Sequence, residues 1–225
     1  MRLARKQVPY FSQWESRDLT GAVLSEGVQV ALARDPLWAL SGASTLAEYV
    51  AWGADVCGMA CLKMILAART GRIVPTLELA RGCTAYGGYK VDAETGRIQG
   101  LIYAPFVRFV QERFGIHAEV ITNPTARSIP EIIQRAEFFT ASVHPSIRWP
   151  EGEPPARGGH LVLAMECSSG TVVFHNPSGH DQASLEYPCL KLERFDRFFA
   201  GRGQMQRWRT CRAAQTAATS VPDAS

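Results

Sequence analysis

Asp55-Val56-Cys57-Gly58-Met59-Ala60-Cys61-Leu62-Lys63-Met64-Ile65-Leu66-Ala67-Ala68-Arg69-Thr70-Gly71 reads as a buried helix entered through a cysteine. From Met59 onward, Ala60, Cys61, Met64, Ile65 and Ala68 recur at helical spacing and form one apolar stripe. Leu62 and Leu66 add a second row, so the helix is expected to be covered almost all round. Gly71 is placed as a stop and Asp55 as an N-cap. Cys57 then falls in the first turn, where free N–H groups and the helix dipole favour a thiolate and offer a donor to an oxyanion. A cysteine in this place is either a nucleophile or a small apolar residue of a core helix. The rest of the chain has to decide.

The 225 residues suffice for one well-packed domain with insertions or for two small ones. A hydrophobic content of 46% and a charged content of 20% belong to an ordinary globular protein. The net charge of +3 comes from scattered bases, with no run or stripe of the kind nucleic acid requires. No stretch approaches ~18 consecutive apolar residues, so no membrane span is expected. The basic start lacks the apolar core of a secretory signal, and the expected location is cytoplasmic. The six cysteines are widely spaced and are expected to be free thiols. Cys57 and Cys61, one turn apart, lack the further ligands of a zinc site, so neither metal nor cofactor is expected.

Val8 to Trp14 reads as an extended segment with Gln13 near its end. Residues 15–52 follow as an irregular insertion with short helices near 20–33 and 44–52, given packing bulk by Trp14, Trp38 and Trp52. Past the cysteine helix, a short helix is expected over 75–81, introduced by Pro75. Residues 83–100, rich in Gly and Tyr, are expected as a long loop beside a substrate groove. An amphipathic helix over 105–114 precedes a strand over 117–122, a helix over 130–136 and an apolar strand over 138–144. A Pro/Gly loop leads to strands over 160–166 and 171–176, joined as a hairpin. A helix over 192–201 follows, and from 210 to 225 the composition predicts a disordered tail, leaving one domain over 1–209.

The order is then a helical half bearing Cys57, followed by an antiparallel half bearing His160 directly after Gly158 and Gly159. If Glu166 pairs with Gly170 across the hairpin, His160 stands opposite Asn176 with Cβ atoms ~4.5–5.5 Å apart. That suits an amide oxygen accepting from an imidazole N–H. A slip of one residue would bring His175 to that face instead. Taken singly, His160 also reads as a structural histidine, and Asn176 before Pro177 as a strand end.

Val8-Pro9-Tyr10-Phe11-Ser12-Gln13, Cys57-Gly58-Met59-Ala60-Cys61, Gly159-His160-Leu161-Val162 and Asn176-Pro177, in this order, resemble the double-glycine (bacteriocin-processing) peptidase-like group of papain-like cysteine peptidases. The resemblance implies an α+β, papain-like fold in which the nucleophile helix packs on an antiparallel sheet. It implies that Cys57 attacks, His160 is the base, Asn176 orients it and Gln13 donates to the oxyanion. The implied activity is cleavage of a peptide or amide bond through a thioester, with a peptide or acyl/amide substrate as partner. The chain departs from the group in two places: 44 residues separate Gln13 from Cys57, where the leader-cutting peptidases have a few, and Asn176 stands where Asp is commoner. No transporter portion is seen, so export coupled to cleavage is not implied. The same residues also suit an acyltransferase or amidase of a biosynthetic pathway, or a binding module with a silent site.

Overall fold

The structure, a computed structural model, describes residues 8–208. Cys211 and the expected tail over 210–225 lie outside the described residues. Residues 20–52 contribute three short helices, α1 (Thr20–Glu26), α2 (Val28–Leu32) and α3 (Leu46–Trp52). They close around their own small core of Trp14, Val23, Ala31, Leu32 and Tyr49. At its polar centre the buried Asp35 accepts hydrogen bonds from the Tyr49 hydroxyl and from the backbone N–H groups of Ser16 and Leu37.

α4 (Cys57–Thr70) is the helix expected from the sequence, and every residue from Gly58 to Leu66 is buried. It begins two residues earlier than the apolar pattern suggested. Its N-cap is Val56, which has no capping side chain, so the assignment of Asp55 as cap is corrected. Gly71 ends it in the left-handed conformation, as expected. Lys63, buried on this helix, is satisfied by the Glu15 carboxylate at 3.2 Å and by Thr76 Oγ1 at 3.3 Å, which ties the 15–52 segment to α4.

α5 (Thr76–Ala85) runs four residues past the expected helix. The expected loop beyond it contains a small hairpin of β1 (Lys90–Val91) and β2 (Ile98–Gln99). α6 (Tyr103–Phe114), stopped by left-handed Gly115, leads into β3 (Ile116–Thr122). α7 (Ile129–Arg135), β4 (Phe138–Val143), β5 (His160–Ser168) and β6 (Thr171–His175) stand where the sequence placed them. A single helical turn, α8 (Gln182–Leu185), and a short strand, β7 (Cys189–Lys191), then precede α9 (Leu192–Phe198).

The expected helix over 192–201 stops at Phe198, and the chain continues as β8 (Phe199–Trp208), a strand not anticipated from the sequence. β8 is an interior strand of the six-stranded sheet, whose order is β3-β8-β4-β5-β6-β7, with every pair antiparallel. One large core lies between α4, α5, α6 and the sheet, containing Met59, Leu62, Leu77, Phe106 and Leu163. A second, under α7 and α9, gathers Ile132, Phe139, Val162, Phe174 and Phe195. The molecule is therefore α+β, with the cysteine helix packed on an antiparallel sheet.

Among the described residues no helix is long and apolar enough to cross a membrane. The five described cysteines are free thiols.

Candidate active site

Cys57 is the first residue of α4, so the N–H groups at the start of the helix lack intrahelical acceptors. The turn before it is pinned at Gly53, whose carbonyl accepts from Gln13 Nε2 at 2.7 Å and from Trp14 Nε1 at 2.9 Å. A Cβ at Gly53 would lie 2.2 Å from Leu32 Cδ1, so a larger residue there would have to push the Leu32 side chain aside. The opening of α4 lies along the start of β5: Cys61 Sγ is 3.8 Å from the Leu161 carbonyl. A Cβ on Gly58 would sit 3.0 Å from the Leu161 side chain.

His160 opens β5 after Gly158 and Gly159, which have φ of +87° and +95°, a conformation that side chains other than glycine's resist. Its Nε2–H donates to Asn176 Oδ1 at 2.8 Å. The same oxygen accepts from the Ser178 N–H at 3.2 Å, which identifies it as the carboxamide oxygen. With the proton on Nε2, the neutral ring keeps a lone pair on Nδ1.

The hairpin reaches this arrangement by a route different from the expected one. Its turn is the two-residue Ser169–Gly170, both at positive φ, so Ser168 pairs with Thr171 and Cys167 with Val172. That register alone would bring His175 to the face of His160. A bulge at Met165 then inserts one residue into β5, after which Ala164 pairs with Phe174 and Leu163 with His175. The shift returns Asn176 to the face of His160 as a diagonal neighbour, two residues away from a direct pairing, and its side chain spans the gap. His175 is turned aside and buried, with Nε2 against the Val8 carbonyl at 3.0 Å.

One further side chain reaches His160, and Arg148 stands behind it. Ser178 Oγ lies 3.3 Å from Nε2 and accepts from Arg148 Nη2 at 2.9 Å. Burial lowers the His160 pKa to about 4, with the Asn176 bond pulling it up and the Arg148 charge pushing it further down. The Cys57 thiol is pushed up to about 11, chiefly by burial. The N–H groups of Leu161, Gly58 and Cys57 itself pull it down, while the Asp55 carboxylate raises it. Burial thus favours the uncharged form of each group taken by itself.

Cys57 and His160 line one cavity of about 270 Å³, together with Asp55, Tyr103, Ser142 and Arg202. Gly100 and Leu101, just after the β1–β2 hairpin, form part of its wall. Gln13 is not among the lining residues: it is buried, with its backbone N–H on the Pro177 carbonyl at 2.8 Å and its side chain on Gly53. The structure therefore brings Cys57, His160 and Asn176 to one place and holds Gln13 against the turn that precedes the cysteine.

No protein-family model matches the chain, and no curated protein matches it. Its structural similarity is to peptidase domains. One is the peptidase domain of Streptococcus ComA, a bi-functional ABC transporter involved in a quorum sensing pathway. It shares 14% identity over 69% of this chain and 93% of its own, with a TM-score of 0.47. Another is a double glycine motif protease from an AMS/PCAT transporter, solved in complex with the leader peptide. It shares 16% identity over 69% of this chain and 86% of its own, with a TM-score of 0.43.

Sequence reasoning missed Arg148, Ser178, Tyr103, Ser142 and Arg202. Ser178 had a faint signal, standing two residues after Asn176 where a side-chain turn is common. The others sit in a Pro/Gly loop, on a helix, in an apolar strand and on the strand that was not anticipated, where nothing local marks them. Among the described residues, no three His, Cys, Asp or Glu side chains are grouped to hold a metal ion.

Proposed function

We propose that this chain is a papain-like cysteine peptidase or acyl hydrolase, with Cys57 as nucleophile, His160 as base and Asn176 as its orienting partner. The observation that carries the reading is the 2.8 Å bond from His160 Nε2 to Asn176 Oδ1, with His160 and Cys57 lining the same cavity. That bond holds the imidazole in the tautomer whose Nδ1 can accept a proton.

With burial favouring the uncharged form of each group, we read the reaction as general-base attack. His160 Nδ1 takes the thiol proton as the Cys57 sulfur bonds to the substrate carbonyl carbon. The carbonyl oxygen becomes an oxyanion facing the unpaired N–H groups at the start of α4. We assign the second donor to Gln13 through the amide hydrogen not used on Gly53. The tetrahedral species collapses, the C–N bond breaks, and His160 returns the proton to the leaving nitrogen. Water, deprotonated by His160, then adds to the thioester, and the acid leaves as the thiol re-forms.

The test is acylation of the purified protein by a thiol-directed acyl analogue, followed by intact mass and peptide mapping. Labelling confined to Cys57, lost in Cys57→Ala and slowed in His160→Gln, supports the reading. Indifference to His160 overturns it, leaving a silent module. Product analysis with and without added amine separates hydrolysis from acyl transfer.

A further inference from the structure

The cavity holds a cation that the chemistry above does not use. In the pairing of β4 with β8, Ala141 faces Gly203 and Val143 faces Phe199, so Ser142 stands against three residues, Ala200, Gly201 and Arg202. Arg202, an exposed residue, and Ser142 both line the cavity. A Cβ on Gly158 would lie 3.2 Å from Arg202 Nη2 and 3.4 Å from Ser142 Oγ, so the glycine ahead of His160 leaves room for the guanidinium. Tyr103, on α6, lines the same cavity as Ser142 and Arg202.

Among the described residues, no carboxylate forms an ion pair with Arg202. Asp55 also lines the cavity, and the cation that acts on it is Arg97. One cationic fork and two hydroxyl groups thus line the cavity beside the nucleophile, and the Asp55 carboxylate, which lines it too, forms no ion pair with Arg202 among the described residues. A planar guanidinium flanked by hydroxyl donors matches a carboxylate.

We propose that Arg202, Tyr103 and Ser142 form a carboxylate-binding subsite, so that the substrate presents an acidic group next to the carbonyl that Cys57 attacks. The proposal rests on the reading of Cys57 as nucleophile and names the substrate class of that site. The carboxylate is either an acidic side chain on the acyl side or a free chain terminus on the leaving side.

Two peptidyl vinyl sulfones, Ac-Gly-Glu and its neutral isostere Ac-Gly-Gln, are reacted with the full chain, and the second-order rate of Cys57 labelling is read by intact mass. The Glu probe is expected to react at least about tenfold faster, as one charge-assisted contact allows. The ratio should fall to near one in Arg202→Met and recover in part in Arg202→Lys, whatever the absolute rates. For the terminal source, affinities of triglycine and triglycinamide are compared on Cys57→Ala, with preference for the free acid lost on adding Arg202→Met. Equal rates for the two probes together with equal affinities for the two peptides overturn the subsite. If neither probe labels Cys57, the nucleophile reading falls, and the binding comparison on Cys57→Ala decides the subsite by itself.

Discussion

At Cys57 burial and the helix terminus oppose each other, and burial wins: the thiol is held near 11 even though the N–H groups of Leu161 and Gly58 face it. The sequence alone suggested the opposite, a helix-start cysteine primed as thiolate, because burial cannot be read from neighbours along the chain. The consequence is measurable. Alkylation of Cys57 by iodoacetamide should rise about tenfold per pH unit between pH 7 and pH 10, in step with the thiolate fraction. A rate already flat from pH 5 upward would instead mean a preformed ion pair with His160. Gln13 invites a second comparison. If its amide serves the oxyanion, Gln13→Leu lowers turnover by about 10²–10³ while leaving alkylation of Cys57 untouched. A parallel fall in alkylation would reduce Gln13 to a clamp on Gly53. His160 and Asn176 were legible because Gly-Gly-His and Asn-Pro are short local patterns. Arg148 and Arg202 were not, since arginine in a loop or an irregular strand looks like any solvated residue.

Among the elements, α4 was the easiest to read and β8 the hardest. The apolar rows of α4 announce a helix buried on all sides, whereas β8 carries Gly201, Gly203, Gln204 and Gln206 in an interior strand of the sheet. Gly203 is there because of packing: a Cβ would lie 2.4 Å from the Thr140 carbonyl and 2.7 Å from the Phe139 ring. Such close approach selects against the β-branched residues that usually mark a strand. The β5–β6 hairpin offers a sharper test. Deleting Met165 removes the bulge and restores simple alternation, which turns Asn176 away from His160. Turnover should drop at least ~10³-fold with the sheet retained by circular dichroism, and a deletion variant of near-normal activity would refute the register argument. The Lys63–Glu15 pair predicts an effect on stability. Glu15→Gln leaves a buried ammonium without its counter-charge and should cost about 3 kcal/mol in urea unfolding, since both groups are almost fully enclosed.

For the molecule as a whole, the same burial that quiets His160 sets a pH limit on the fold. Below pH 6.5 the unfolded chain takes up a proton that the folded imidazole, with its pKa near 4, refuses. Stability from this group is therefore complete above pH 6.5 and is lost as the pH falls toward 4, at about 1.4 kcal/mol per pH unit. Urea midpoints should show about 2 kcal/mol lost between pH 6.5 and pH 5, and His160→Gln should remove that slope. Identical pH dependence in the two proteins would contradict it. The order of helical and antiparallel halves was visible in the sequence because each periodicity is local. The sheet order was not, because it depends on β8 threading between β3 and β4 from far along the chain.

The segment from Val8 to Trp14 has a reach out of proportion to its length. Tyr10, Ser12 and Gln13 bond to the backbone of Asn176 and Pro177, while the Gln13 and Trp14 side chains bond to Gly53. A few residues thus act as a strap fastening the loop that carries the orienting amide to the turn that presents the sulfur. Trimming the chain back past Trp14, by a protease or by design, would unfasten both ends at once. Cys57, His160 and Asn176 would all survive such a cut, yet the site would lose their alignment and Gln13 with it, so this strap is where the proposed activity can be disabled from a distance.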